Sequence, residues 1–551
     1  MTSRGTTVVS AVLRTLPGVS QDSTGHLFIA RCDVMRLRCD AWLLPSDEQG
    51  YVESPWFSAV GLAGPGRLAE RSNASDALVR PWPADPRSES AALLFIGAVG
   101  VPFDQLVDTA GWIDHVVSVA TEFVVLASAA IDEPGDGLTK RIALPVIGTG
   151  HAGLADDAGA LLGPLIGALE QSARDHCVDI VLCVVDDLLW SAAQHIRVLE
   201  EGHSPWDLPQ HLVDLAHDLA SHVSDGHLVL FLGAGISADA GLPSWTSLLR
   251  EIGTRLGVDD AQLELVIGLD PRDAAAWLRR RTDSPSALNE LVRELLRRDR
   301  FGLTHALLAS LRVEATVTTN FDDLYEAACA LPGAATSAPA RLPYDPASTG
   351  RPWLLKLHGD LEHDDLVFTR ADYLGAERNR AALFGIVQAM LVTRHLLFVG
   401  YSLSDEDFHR LVDQIGAALQ GAHRPHLGTV LAVDDGVWHE LWDDSLDIVV
   451  TGTDDIASNA RTLLILLDLV NHIAADKSRF LLDDAYDQLL SEPERNVRQR
   501  LLETRALLDQ LPPDSSVRTT VERMLTRLGA AQPRRSPQSS DARWHDDSAH
   551  G

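Results

Sequence analysis

The sequence predicts an α/β protein: two units of alternating strands and helices, then a helical C-terminal segment. Three observations predict it. Short runs of β-branched and aliphatic residues alternate with longer stretches whose apolar residues recur at helical spacing, the pattern of parallel sheets covered by helices. One such run, Leu228-Val-Leu-Phe-Leu232, opens into Gly233-Ala-Gly-Ile-Ser237 and then into a helix-like segment. From about residue 476 the strand-like runs stop and amphipathic helical patterns replace them.

In chain order, residues 1–200 form the first part. Residues 41–44, 91–99, 141–147 and 178–185 read as strands, and 155–174 as a helix. The second part, 205–475, gathers itself near Pro209, after the loop Gly202-His-Ser-Pro-Trp206. Its strand candidates are 227–232, 315–319, 353–357, 395–399, 429–433 and 447–450, with helical segments between them, which argues for a doubly wound parallel sheet. Residues 476–530 carry amphipathic helices, including 497–508 and 516–528. The tail 531–551, rich in Pro, Ser, Arg and Asp, is expected to be disordered. No internal repeat is visible.

The 551 residues suffice for two or three domains, and 46% hydrophobic with 23% charged residues is a globular balance. A formal net charge of -32 repels nucleic-acid phosphates and anionic membranes, so neither is expected as a general partner. The five cysteines are odd in number and include no Cys-x-x-Cys pair, so neither a disulfide framework nor a zinc ribbon is indicated, and no metal is expected. The N-terminus lacks a charged-then-apolar signal. The apolar stretches 116–131 and 462–470 contain Glu122 and Asp468 or are too short to span a bilayer. A cytoplasmic location is expected. Only three lysines occur, and Lys356, on the strand leading to His358, reads as a side chain snorkelling past a sheet edge.

Four segments of the second part carry chemistry: Gly233-Ala-Gly-Ile-Ser237, Thr318-Thr-Asn-Phe-Asp322, Lys356-Leu-His-Gly-Asp360 and Gly400-Tyr-Ser-Leu-Ser-Asp405. Glycines after a strand let the backbone turn sharply and come close to a ligand, and a helix start offers N–H groups to an anion. Asn320 follows a strand, and its amide can hold a water or a ribose hydroxyl without titrating. Asn-Phe-Asp is equally a helix N-cap pattern. His358 follows another strand, and imidazole titrates near neutrality, as a general base must. In this order the four segments resemble the Sir2 (sirtuin-like) NAD-binding family across 205–475, closest to the branch of bacterial anti-phage systems that consumes NAD. The resemblance implies a Rossmann-type sheet and NAD as substrate. It implies Asn320 and His358 as catalytic residues. Gly233, Ala234, Gly235 and Ser237 would anchor the diphosphate, Asp322 the ribose side, and Gly400, Ser402 and Asp405 a second phosphate-type loop. Asp372 and Tyr373 are secondary candidates. Two departures bear on activity. The four-cysteine zinc module of deacylating sirtuins is missing, and Ser244-Trp-Thr246 stands where they carry Asp-Phe-Arg, with Trp245 placed to cover the nicotinamide end. NAD hydrolysis or cyclisation is therefore preferred. The alternatives are a protein deacylase, an ADP-ribosyltransferase and a non-catalytic nucleotide sensor.

In the first part, Ala143-Leu-Pro-Val-Ile-Gly-Thr-Gly-His-Ala-Gly153 is a second strand opening into glycines, with Cys32-Asp-Val34 and Asp40-Ala-Trp-Leu-Leu-Pro-Ser-Asp47 upstream. These resemble macro domains, which bind ADP-ribose and related nucleotides. The resemblance implies an adenine contact from Asp33 and a phosphate cradle at Gly148, Thr149, Gly150 and Gly153. Leu44 and Asp47 stand where macro domains usually carry asparagines, which leaves open a catalytic, sensory or structural role. Together the two resemblances imply an NAD+ hydrolase, releasing nicotinamide and ADP-ribose in abortive anti-phage defence. An ADP-ribose-type signalling nucleotide on the macro-like part would regulate it, with a TIR-domain partner supplying the signal and a homo-oligomer as the assembly.

Overall fold

The computed structural model describes residues 24–47, 50–61, 77–82, 92–100, 108–131, 139–150, 153–197, 204–332, 338–348, 350–403, 406–418, 426–436, 439–442, 445–453 and 455–530. The tail 531–551 lies outside them.

The first sheet has six strands: β1 (Leu27–Ala30), β2 (Ala41–Ser46), β3 (Val79–Trp82), β4 (Leu93–Ala98), β5 (Arg141–Pro145) and β6 (Asp179–Cys183). Their spatial order is β1-β6-β5-β2-β4-β3. Every pairing is parallel except β3 against β4. The strands read as continuous apolar runs because helices cover the sheet. Helix Thr109–Ala130 buries Val116, Val119, Ala120, Phe123, Val124 and Ala127. Its length and composition would also suit a membrane span, and here that apolar stripe packs in a core with residues of helix Ala158–His176.

The second sheet has seven strands: β7 (Leu228–Leu232), β8 (Ala315–Thr318), β9 (Ala340–Leu342), β10 (Trp353–Lys356), β11 (His395–Val399), β12 (Gly428–Ala432) and β13 (Asp447–Val450). All pairings are parallel, in the order β13-β12-β11-β7-β8-β10-β9. The chain builds outward from β7 through β8 and β10, then returns to its other side with β11. The switch point of a doubly wound sheet therefore falls between β7 and β11, where such sheets open a ligand crevice.

One helix, Ile456–Ala474, joins the two units. Its Asp468 is fully buried and accepts hydrogen bonds from His26 Nε2 (3.0 Å), Trp206 Nε1 (2.7 Å), the Ile29 amide (3.3 Å) and Arg197 (2.8 and 3.1 Å). Burial would raise this carboxyl, but the Arg197 charge and the His26 bond outweigh it and hold it well below the usual carboxylate range. Two turns earlier along the seam, Arg461 grips Asp179 with two bonds of 2.9 and 2.7 Å. The apolar core is continuous across this seam: Phe28, Leu44 and Val181 share it with Leu230, Leu307 and Leu467.

Among the described residues beyond 476, Glu492–Leu508 and Ser516–Arg527 are helices. The preceding turn, Asp484–Leu489, lies on the first unit. A Cβ at Gly159 would stand 2.9 Å from Tyr486 Cα.

Candidate active site

The parallel register brings four strand ends into one line. Val399 pairs with Leu232, Leu232 with Thr318, and Thr318 with Lys356. The four motif loops therefore leave the same edge, and Asn320 and His358 each stand two residues past a paired end. The glycines let two loops touch backbone to backbone. A Cβ at Gly233 would lie 2.4 Å from Gly400 O, and one at Gly235 2.7 Å from Gly400 Cα. Gly400 has φ +63°, and a Cβ there would meet Ile236 N at 2.4 Å. The Gly235 amide donates to Gly400 O (2.9 Å) and the Gly233 amide to Val399 O (3.0 Å). These two amides are thus spent inside the protein. What the glycines contribute is close approach, whereas the expectation assigned their N–H groups to a diphosphate. Ala234, at the turn, is exposed.

Ser237 is 2% exposed and lies behind that turn as a hub. Its hydroxyl donates to Asp322 Oδ2 (3.1 Å) and accepts from Asn320 Nδ2 (3.5 Å). The ring of His305 lies 3.3 Å from the same oxygen. The expected direct phosphate contact from Ser237 gives way to this internal role, because its proton is already placed. Asp322 Oδ1 accepts from the Leu324 amide (3.2 Å), a side-chain turn one residue ahead of Asp323, the N-cap of helix Leu324–Cys329. Asn320 Nδ2 donates to Gly233 O as well (3.1 Å), while its Oδ1 is buried with no hydrogen-bond partner among the described residues. An unpaired buried carbonyl is costly, and this one stands just past the carboxyl end of β8.

Lys356 corrects the sequence expectation. It does not snorkel: it is wholly buried, and its ammonium donates to the carbonyls of Asp322 (2.6 Å) and Phe321 (3.4 Å) and to Glu326 Oε1 (3.0 Å). Burial pulls its pKa down, and Glu326, Asp360 and Asp322 more than reverse that, so the cation stays charged. It pins the backbone of the Asn-Phe-Asp loop from beneath.

His358 is 3% exposed, with the Tyr373 ring edge-on at 5.1 Å. Gly359 takes φ +100°, a backbone state that glycine adopts freely, and so turns the chain straight after the imidazole. Asp372 is committed elsewhere: it accepts from Arg279 (2.8 Å) and from the Thr369 amide (2.8 Å). Trp245 starts helix Trp245–Arg255 and packs on Phe368 and Phe321, with ring centroids 4.8 and 6.1 Å away. Ser402 is exposed beside Gly400, and Asp405 lies outside the described residues.

In the first unit, β1 and β5 end at the same sheet edge with β6 between them. Asp33 caps the turn Val34–Arg36 by accepting from the Met35 amide (3.0 Å), and burial raises its carboxyl. Gly148 and Gly153 have φ of +90° and +102°. A Cβ at Gly153 would strike the Trp112 ring at 2.4 Å, so packing alone requires glycine there. A Cβ at Gly150 would stand 3.5 Å from Glu53 Oε1, which places a carboxylate over the loop beside Thr149.

Sequence reasoning missed His305. It lies on the eight-residue helix Leu303–Ser310, all of it buried. The available signal was Gly302-x-x-His305, the one titratable residue in a helix of mostly apolar residues.

Strand order, switch point and strand-end motifs define a Rossmann-type domain with a crevice at its carboxyl edge. Residues 314–445 match the family model described as SIR2-like domain. The chain is similar to three curated relatives over part of their length. The NAD(+) hydrolase ThsA of Enterococcus faecium is 29% identical over 216 residues, covering 37% of this chain and 43% of that protein. NAD(+) hydrolase ThsA of Bacillus cereus (strain MSX-D12) is 26% identical, covering 38% and 44%. Defense-associated sirtuin 2 of Bacillus subtilis is 23% identical, covering 38% and 21%. The chain thus spans less than half the length of the curated relatives it matches.

Proposed function

We propose that this protein is an NAD+ glycohydrolase of bacterial anti-phage defence, cleaving NAD+ to nicotinamide and ADP-ribose in the cytoplasm. The observation that carries the reading is the buried, orphaned Oδ1 of Asn320, two residues past its strand end in register with His358. Breaking the nicotinamide–ribose bond passes through a cationic, oxocarbenium-like transition state. A non-titrating carbonyl can orient a water or a ribose hydroxyl beside the anomeric carbon. An imidazole at the next strand end can take the proton. The ThsA relatives support the activity at the level of their names. By the same reading the first unit binds an ADP-ribose-type nucleotide that regulates turnover, supplied through a TIR-domain partner, in a homo-oligomer. Asn320→Ala and His358→Ala should each lower nicotinamide release about a hundredfold or more, with unchanged circular dichroism. Product analysis separates hydrolysis from cyclisation. Parent-rate NAD cleavage by both variants sinks the site.

A further inference from the structure

The buried helix start at Leu303–Ser310 bears directly on Asn320, although no residue of that helix belongs to the four motifs. Its position is fixed from two sides. Asp239 Oδ2 accepts from the amide and the hydroxyl of Thr304, both at 3.0 Å. Asp239 also fills the space a Cβ on Gly302 would need, with Oδ1 at 1.8 Å from that point. The Gly302 amide then donates to His305 Nδ1 at 3.3 Å. An Nδ1 that accepts carries no proton, so the neutral ring carries it on Nε2. Nε2 faces Ser237 Oγ at 3.3 Å and is the donor of that pair. With this bond accepted, the Ser237 hydroxyl points its own proton at Asp322 Oδ2. The oxygen of Ser237 and the carbonyl of Gly233 are then both acceptors facing Asn320 Nδ2. An amide whose nitrogen lies between two acceptors cannot flip without setting oxygen against oxygen. Its Oδ1 is therefore the end left buried without a partner.

We propose that His305, as the Nε2–H tautomer, is the positioning residue of the active site: through Ser237 it fixes which end of the Asn320 amide meets substrate. The ring is wholly buried, and burial lowers its pKa, which keeps it neutral while it serves as donor. A protonated ring would set two N–H groups against each other at Gly302. The inference rests on the glycohydrolase reading for its consequence in turnover, but not for its geometry.

The test uses the protein with its histidines and asparagines labelled with nitrogen-15. His305 should show the neutral Nε2–H signature at pH 7, identified by its loss in His305→Phe. An Nδ1–H or doubly protonated ring overturns the proposal. In His305→Phe, which keeps the bulk and removes the donor, kcat for nicotinamide release should fall about a hundredfold while KM stays within about threefold, as expected for a misplaced group. His305→Gln, whose amide can donate to Ser237, should recover to within about tenfold of the parent rate. Parent kcat in His305→Phe overturns the proposal, as does a Gln variant no better than Phe. If the parent releases no nicotinamide, the glycohydrolase reading fails by itself, and the Asn320 side-chain amide resonance decides the rest. That resonance should shift in His305→Phe and return in His305→Gln. An unmoved resonance overturns the positioning role.

Discussion

At the scale of single residues, the site depends on groups that never reach solvent. Lys356 is the clearest case, a buried cation bonded to the backbone that carries Asn320 and Asp322. Removing one partner of a buried ion pair leaves the other charge uncompensated, at a cost of about 3–5 kcal/mol. Lys356→Met, which keeps the length and loses the charge, should lower unfolding free energy by about that amount and weaken NAD turnover with it. Denaturant titration measures the first effect, and a midpoint equal to the parent's would show that the ammonium is dispensable. That Asn320 and His358 stand at strand ends was legible from the apolar runs before them. Lys356 and His305 were not, because a lone lysine or histidine in a sequence does not reveal whether its partners are water or a buried carbonyl and hydroxyl.

At the scale of elements, the interior strands and the edge strand β13 were legible, and the edge strands β1, β3 and β9 were not. β7, β8, β10 and β11 are short aliphatic runs bounded by glycine or polar residues, and fall within two residues of expectation. β9 has three residues and β3 contains Pro81, which can sit there because β3 pairs on one side only. β1, Leu27–Ala30, is an edge strand too short to show a pattern of its own. The glycine loop after β5 has a feature no motif discloses, the Glu53 carboxylate near Gly150. A diphosphate seated there would face that charge. Glu53→Gln should therefore tighten ADP-ribose binding about tenfold, and Gly150→Glu should abolish it. Calorimetry with ADP-ribose is the measurement, and equal affinity in parent and Glu53→Gln would move the nucleotide away from this loop. The turn after β1 also touches the second unit: Leu37 forms a parallel bridge with Phe301, next to the Gly302 amide that fixes His305.

At the scale of the whole molecule, acid should act on buried histidines before it reaches carboxylates. Burial, with Lys477 nearby, depresses His472 to about 3 from 6.5, and burial beside His222 depresses His395 to about 4. The unfolded chain protonates both near 6.5 and the folded chain does not. Their contribution is complete above that value and is lost progressively as pH falls below it. Asp468, held low by Arg197, adds stability that is lost only at lower pH still. Thermal midpoints should be level from about pH 7 to 8 and decline from about pH 6.5 downward. A midpoint that holds or rises between pH 6.5 and 5 would contradict the burial of these rings.

The seam at Asp468 also bears on how the protein is made. A ribosome works from the N-terminus, so His26, Ile29, Arg197 and Trp206 emerge well over two hundred residues before the carboxylate they surround. During that interval the first unit's Arg197 has only the more distant Glu170 carboxylate (3.9 Å) and an apolar face lacks its cover, and at about 5–20 residues per second the wait lasts some tens of seconds. The last large helix of the second unit completes the first. A ribosome stalled before Ile456 would leave the first sheet, complete in its six strands, without the carboxylate and the apolar cover that this helix brings.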